Sequence, residues 1–320
     1  MPKSGLARVF AVAALLPLLL LPLGSGLTGT VNAASSPSPG AFFDHVVVIL
    51  MENNGYCDII TTCGGHGPYE TSLASNYSIA GTCSSDSSCS IGGYTAVSHP
   101  SEPNYCALIS GAIYSDCSND SICCFQDANL NVVDRFAAAG ITWQAYAEDA
   151  KGSGTCAFSA PDNDHFPYVY FSDNDVASRC ANFLTASTNK GADAAFLSAL
   201  NQKSGWANFI WLTPNNKDNG HDTGAAHGDE WLSDTVPGIL SSYMFTHSRS
   251  ALFVGYDEGN SVFPHDYIYA SWSGPLVKQG YVGTGTYNHY SLLATLEANW
   301  GFAPLTSNDG TATAMSEFFK

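Results

Sequence analysis

The sequence predicts a three-layer, doubly wound α/β fold around a mostly parallel sheet, with disulfide-stapled loop insertions in its first half. Three observations predict it. An apolar, mostly β-branched run without alternation occurs at His45 to Met51, and further apolar runs occur at Trp206 to Thr213 and Ser250 to Tyr256; the first is the pattern of a strand buried on both faces. Val132 to Ala139 reads as an amphipathic helix closed by Gly140, and the strand Ile141 to Tyr146 follows at once, which is the helix–strand alternation of a parallel sheet. All ten cysteines lie between Cys57 and Cys180, so the staples belong to the loops of the first half and the second half carries its sheet without them.

Taken in order, residues 1–34 read as an export signal: Lys3 and Arg8 ahead of an apolar core from Val9 to Leu23, then a small-residue cleavage site at Val31-Asn32-Ala33-Ala34. The alternative is a retained anchor. Residues 35–40 form a Ser/Pro/Gly lead-in, and 41–320 are expected to be one domain, large enough for a core of its own. Without Lys3 and Arg8 the chain keeps 9 cations against 28 acids, a net of −19. Such a surface repels nucleic acid and anionic membranes, and no basic patch offsets it. In an exported chain ten cysteines read as disulfides, with Cys57/Cys63 and Cys83/Cys89 spaced for small loops. A zinc ribbon would need Cys-x-x-Cys pairs, and there are none.

The first strand stops at Glu52-Asn53 and the turn residues Asn54-Gly55. Ligands in open α/β sheets bind beyond the carboxyl ends of strands. Cys57 to Gly93 is poor in hydrophobic residues and reads as a stapled surface excursion. At Ser98-His99-Pro100-Ser101-Glu102-Pro103-Asn104 two prolines bracket Ser101 where a helix can begin. A hydroxyl there faces free N–H groups and the positive end of a helix dipole, a place for an anion such as phosphate. The plainer alternative is a helix capped by Ser101. Asp162 to Phe171 is an aromatic loop holding His165, a residue for a pocket wall. Asp193 to Gln202 and Asp229 to Ser242 read as helices, Pro237 kinking the second. Tyr267 to Trp272 resembles a further strand, and Leu292 to Asn299 a final helix behind His289 and a Ser291 cap.

Three apolar strands thus end in Glu52-Asn53, in Asn215 to Asp222 and in Asp257-Glu258. Parallel strands bring those ends to one edge, where several carboxylates cannot all ionise without a counter-cation. Oxygen ligands with histidines nearby suit a divalent metal ion, one or two of them.

Ser101-Glu102-Pro103-Asn104-Tyr105, followed by Leu108-Ile109-Ser110-Gly111, resembles the nucleophile turn of the alkaline-phosphatase superfamily. His45 to Asn53, Asp257-Glu258-Gly259 and His289-Tyr290-Ser291-Leu292-Leu293 with Glu297 resemble the phosphoesterase family of bacterial acid phosphatases and phospholipases C, in order along nearly the whole chain. The resemblance implies an alkaline-phosphatase-like fold and assigns roles. Glu52, Asn53, Asp257 and Glu258 would hold the metal, with Asp222 beside them, and Ser101 would be the nucleophile facing it. Asn104 would donate to a phosphoryl oxygen. His221 and His289 would bind phosphate, protonate the leaving group or complete the metal shell, while His99 and His165 would line the substrate. The expected activity is that of a secreted, metal-dependent phosphomonoesterase acting through a phosphoserine on small phosphate esters. A phospholipase C or phosphodiesterase on the same machinery is the alternative, and a catalytically silent surface protein the alternative of another class. A serine esterase would need Gly-x-Ser-x-Gly, which is absent.

Overall fold

Six consecutive residues, Val46 to Met51, disappear from solvent in the first strand, β1 (His45–Met51), and the molecule is assembled around them. Each such side chain contributes about 1.5–3 kcal/mol on burial. The computed structural model describes residues 39–120, 124–186, 194–260 and 265–320; the expected leader 1–34, most of the lead-in and Asp193 lie outside the described residues.

The chain continues through α1 (Tyr56–Ile59), α2 (Pro68–Asn76), β2 (Ser78–Ile79), β3 (Gly81–Ser85), β4 (Ser88–Thr95), α3 (Ser101–Ser110) and α4 (Val132–Ala139). Next come β5 (Trp143–Ala147), α5 (Ala177–Cys180), β6 (Phe183–Thr185), α6 (Ala194–Leu200), β7 (Phe209–Thr213), α7 (Ala225–Leu240) and α8 (Tyr243–His247). The last stretch holds β8 (Ser250–Tyr256), β9 (Ala270–Ser273), β10 (Tyr281–Val282), β11 (Thr286–Asn288), α9 (His289–Trp300) and α10 (Ser307–Thr311). Six strands form the main sheet in the order β6-β5-β7-β1-β8-β9, parallel except for β9. β1 lies between β7 and β8, pairing Val48 with Trp211 on one side and Phe253 on the other. The three apolar runs are therefore neighbours at the centre of the sheet, and their polar ends meet.

Helices cover the sheet in two groups. On one side α3 packs on α9, which receives α4 through the edge-to-face contact of Phe136 with Trp300. On the other, α7 gathers α1, α2, α6 and α8. Asp229 of α7 accepts the Tyr69 and Glu70 N–H groups at 3.1 and 2.8 Å, capping α2 from outside because its own cap, Gly67, has no side chain. The expected excursion after β1 is more ordered than its composition implied: it holds α2 and the β3–β4 hairpin. Disulfides join Cys57–Cys63, Cys83–Cys89, Cys106–Cys117 and Cys156–Cys180, the two short loops among them as spaced.

Some boundaries differ from the pattern for local reasons. β7 begins at Phe209 rather than Trp206 because Trp206 packs on the His45 and Tyr243 rings instead. Tyr267 and Ile268 leave β9 to bridge Thr95 and Gly55. α9 starts at His289, with Asn288 as its cap and Ser291 Oγ accepting the Asn288 N–H at 3.2 Å.

One buried carboxyl on α9 gives a stability test. Glu297 accepts the Leu305 N–H at 3.1 Å and lies against Asp309. Burial first, then the hydrogen bond and charge of Asp309, push its carboxyl up to about 8. The folded state therefore keeps a proton that the unfolded chain releases near 4.5, and stability falls as pH rises from 4.5 toward 8. Glu297→Gln mimics the protonated form. Its melting temperature should match the wild type at pH 5 and exceed it by several degrees at pH 7.5, read by thermal unfolding at both pH values.

Candidate active site

Two adjacent strands end in acids, and both acids turn inward. β1 runs into Glu52, fully buried, and the next residue, Asn53, takes a left-handed φ of 55° that asparagine tolerates better than most. That turn aims the Asn53 N–H at Asp257 Oδ1, 3.1 Å away at the end of β8. The other Asp257 oxygen is buried and has no hydrogen-bond partner. Glu258, also buried, accepts from Asn104 Nδ2 at 3.1 Å and from His99 Nδ1 at 3.0 Å.

α3 comes up beneath these acids. Pro100 is its cap and Ser101 its first residue. Ser101 Oγ donates to Glu52 Oε2 at 3.1 Å, and one turn on the Tyr105 hydroxyl donates to Glu52 Oε1. Residues four apart share a helix face, so one face grips both oxygens of a single carboxylate. The Tyr105 ring also stacks on His165, centroids 5.5 Å apart. His165, itself buried, has Nε2 3.5 Å from Glu52 Oε1 and Nδ1 3.1 Å from Asn216 Oδ1. His221 lies next to it, ring centroids 5.4 Å apart, with Nδ1 2.9 Å from Asp222 Oδ1. Ligand atoms of Glu52, His165 and His221 fall within 4.8 Å of one another.

Electrostatics follow from burial. Glu52 is pushed up to about 8 by desolvation, against the hydrogen bonds from Tyr105 and Ser101. Asp257 is held well above the usual carboxylate range, by burial first and the Glu52 charge second. Glu258 is also pushed up to about 8 by burial and then by Asp257, with His99 pulling the other way. Among the described residues, the lysine and arginine ion pairs are those of Arg179 with Asp134 and Asp173 and of Arg249 with Asp44, so none neutralises this group. A divalent cation meets that need. The orphaned Asp257 oxygen, the buried Glu52 and a hydroxyl and imidazoles at hand form a hard, mixed oxygen and nitrogen donor set.

The structure thus brings together Glu52, Asn53, Ser101, His165, His221, Asp257 and Glu258. Four expected residues stand differently. Asp222 is exposed and turned to His221, outside the carboxylate group. Asn104 spends its amide inside the protein: Oδ1 accepts the Val97 and Ser98 N–H groups, and Nδ2 donates to the Ser98 and Pro100 carbonyls as well as to Glu258. His289 is fully buried, Nε2 donating to the Asp257 carbonyl at 2.5 Å and Nδ1 accepting from Tyr94 at 3.2 Å, and burial lowers it to about 4. It braces the β8 end from behind as a neutral ring and faces no cleft. His99 stands at the rim between Glu258 and Asp266, 3.3 Å from the latter. The helix N-terminus is also less open than expected, since Asp120 takes the Glu102 N–H at 2.7 Å and Pro103 has none.

Residues that the pattern left unmarked are Tyr105 and Asn216. Tyr105 carried a signal, the four-residue spacing from Ser101. Asn216 had none, because its partner His165 lies fifty-one residues away.

The family model described as the Phosphoesterase family matches residues 92–303. A phosphatidylinositol-3-phosphatase of Mycobacterium tuberculosis is 30% identical over 94% of this chain and 90% of its own length. A phosphate-repressible acid phosphatase of Penicillium chrysogenum is 29% identical over 66% of this chain and 52% of its own. The chain spans about half the length of the fungal acid phosphatases it matches. Among solved structures, an alkaline phosphatase superfamily protein from Vibrio parahaemolyticus aligns with TM-score 0.57 at 14% identity, covering 85% of this chain and 71% of that one. The lipoteichoic acid synthase LtaP from Listeria monocytogenes aligns with TM-score 0.55 at 9% identity, covering 86% and 78%. At such identities these structures speak to the fold, which is that of the superfamily.

The carboxylate group yields a test that needs no substrate. In protein stripped with EDTA, at least one of Mg²⁺, Mn²⁺ or Zn²⁺ should raise the melting temperature by about 5–10 °C at a hundred times its Kd. Asp257→Asn should melt no lower than the wild type when stripped, since the amide relieves a buried acid, and should lose most of the shift. No shift with any of the three cations would exclude the cation from this site.

Proposed function

The chain belongs to the phosphoesterase family, and from that premise we propose that it is a metal-dependent phosphomonoesterase with Ser101 as its nucleophile. The observation that carries the reading is the seat of Ser101: the first residue of α3, its Oγ 3.1 Å from a fully buried Glu52 and beside a buried Asp257 oxygen that lacks a partner. A plain structural serine needs no such company.

In this reading Glu52, Asp257 and Ser101 Oγ hold the cation, with Asn53 and Glu258 at its margin and His165 and His221 within reach. When bound, it supplies positive charge against the developing oxyanions of phosphoryl transfer. The rest falls to the protein. Ser101 Oγ is aligned by its bond to Glu52 Oε2 and gives up its proton along it as the Oγ–P bond forms. The P–O bond to the alcohol breaks, and His221, the more exposed imidazole, supplies the leaving oxygen with a proton, a contribution of about 10²–10⁴-fold. Water then attacks phosphorus and gives a proton to His221 as the Oγ–P bond breaks, and Glu52 returns its proton to the departing Ser101 Oγ. His165 holds the register between Glu52 and Asn216. Asn104 acts as a positioning residue, tying the loop before α3 to Glu258.

Three further parts of the reading rest on other supports. Export with a cleaved leader at 1–34 is supported by the disulfides among the described residues, which persist in oxidising compartments. A single catalytic domain is supported by the compact unit that runs to Lys320; the lead-in at 35–40 stands on its Ser/Pro/Gly composition. Small phosphate monoesters suit the site better than polyanionic headgroups, because a net charge of −17 repels added negative charge.

Ser101→Ala should lower kcat on p-nitrophenyl phosphate by about 10³-fold or more. Acid quenching of the wild type during turnover should leave a phosphoryl group on the Ser101 peptide, read by mass spectrometry. Full activity of the alanine variant would overturn the assignment, and faster turnover of the bis-ester than of the monoester would move the reading to a phosphodiesterase.

A further inference from the structure

A cavity of about 470 Å³ opens where the candidate active site ends. Two of its wall residues are the hydrogen-bond partners of the site's imidazoles: Asn216, 3.1 Å from His165 Nδ1, and Asp222, 2.9 Å from His221 Nδ1. The cavity therefore adjoins the imidazoles on the side of their hydrogen-bond partners. The volume lies within the range of small-molecule sites, about 300–1,000 Å³.

Its lining is chemically one-sided. Five carboxylates, Asp149, Asp218, Asp222, Glu230 and Asp234, stand against Lys217 and against His227, whose Nε2 lies 3.0 Å from Asp218 Oδ1. Three of them have internal partners: Asp149 and Asp218 accept from Asn215 Nδ2, and Asp222 pairs with His221. Glu230 and Asp234 do not. They lie four apart on α7, both exposed, with side chains that bond to nothing among the described residues. Like charges at that spacing destabilise a helix, and no structural partner offsets the cost. Between them Trp231 lines the same cavity, its indole N–H held by Glu148 Oε1 at 3.0 Å, so the ring left facing the space is apolar. An apolar wall flanked by unneutralised carboxylates fits a compact organic cation.

We propose that this cavity is the subsite for the alcohol part of the substrate and that it selects phosphate monoesters whose alcohol carries an ammonium group. The inference rests on the phosphoesterase reading of the adjoining site. It narrows the substrate class to amine-bearing alcohols of about the size of a single sugar ring.

Glucosamine 6-phosphate and glucose 6-phosphate have nearly the same shape and differ by one ammonium. The wild type should favour the amine in kcat/KM by about tenfold at low salt, as a few partly screened ion pairs acting together give. The preference should shrink at 0.5 M NaCl, roughly three times shorter in screening length than 0.05 M. In the Glu230→Gln/Asp234→Asn double variant the ratio should fall toward one. Both substitutions are exposed and near-isosteric, so the fold survives them. A wild-type ratio within twofold of one, or a ratio unchanged in the double variant, overturns the subsite while turnover of p-nitrophenyl phosphate upholds the phosphoesterase. If p-nitrophenyl phosphate is not turned over, that reading falls and a binding arm decides the subsite. Free glucosamine should then quench tryptophan fluorescence saturably where glucose does not, with weaker binding in the double variant; identical titrations would overturn the subsite.

Discussion

Three carboxylates lie buried at the ends of two neighbouring strands, and the surrounding architecture answers to that constraint. Taking an ionised carboxylate out of water costs several kcal/mol even after relaxation, and Glu52 and Asp257 are fully buried, with Glu258 nearly so. Nothing in the hydrophobic core requires acids there. β1 and β8 bring them together in register, Met51 opposite Tyr256, so the separation of Glu52 and Asp257 is set by the sheet and not by flexible loops. Around the pair the protein places donors and, among the described residues, no ion-paired lysine or arginine: the Asn53 amide on Asp257, and the Ser101 and Tyr105 hydroxyls on Glu52. A site arranged in this way is costly in isolation and becomes favourable when positive charge enters. Functional sites are where such local conflicts are expected.

The same constraint explains the support behind the acids. His289 holds the Asp257 carbonyl and is held by Tyr94, and both are buried. Donating Nε2–H to a carbonyl fixes the tautomer, so Nδ1 can only accept. Asn104 does comparable work on the other flank by closing the loop ahead of α3 and reaching Glu258. Neither residue is free to touch a substrate, yet each fixes a group that is. Residues of the same chemical type can serve at a site or behind it, and only the third dimension separates the two.

That division marks what the sequence made legible. Glu52, Asn53, Asp257 and Glu258 were readable because strand and acid are contiguous: an apolar run that stops on a carboxylate states both burial and position in one stretch. Ser101 was readable from its two flanking prolines. His165 could be named as a pocket residue from its aromatic loop, but its placement against Glu52 depends on a loop closing over more than a hundred residues of sequence. Asn216 and the inward turn of His289 depend on packing between elements, which no local pattern records. The stapled excursion after β1 concealed α2 and the β3–β4 hairpin for a related reason. Its few apolar residues give no periodicity, and order there comes from disulfides and from Asp229 reaching across from α7.

The helix N-terminus shows how the division of labour at the site follows from covalent detail. A serine at the start of α3 invites the view that backbone N–H groups and the helix dipole cradle the phosphoryl group. Yet Pro103 has no N–H to offer, and the Glu102 N–H is already taken by Asp120. Asp120 also brings a negative charge to that end, which opposes the dipole's pull on an anion. This end of the helix therefore has fewer N–H groups to offer an anion than its serine start suggests. Among the described residues the arginine ion pairs are those of Arg179 and Arg249, away from this end, so in the proposed reading the compensating charge would come from the imidazoles and from a cation seated on Glu52 and Asp257. On that reading the prolines that fix the Ser101 turn and the acid that occupies the Glu102 amide shift the work of holding an anion from the helix end to the groups around the buried carboxylates.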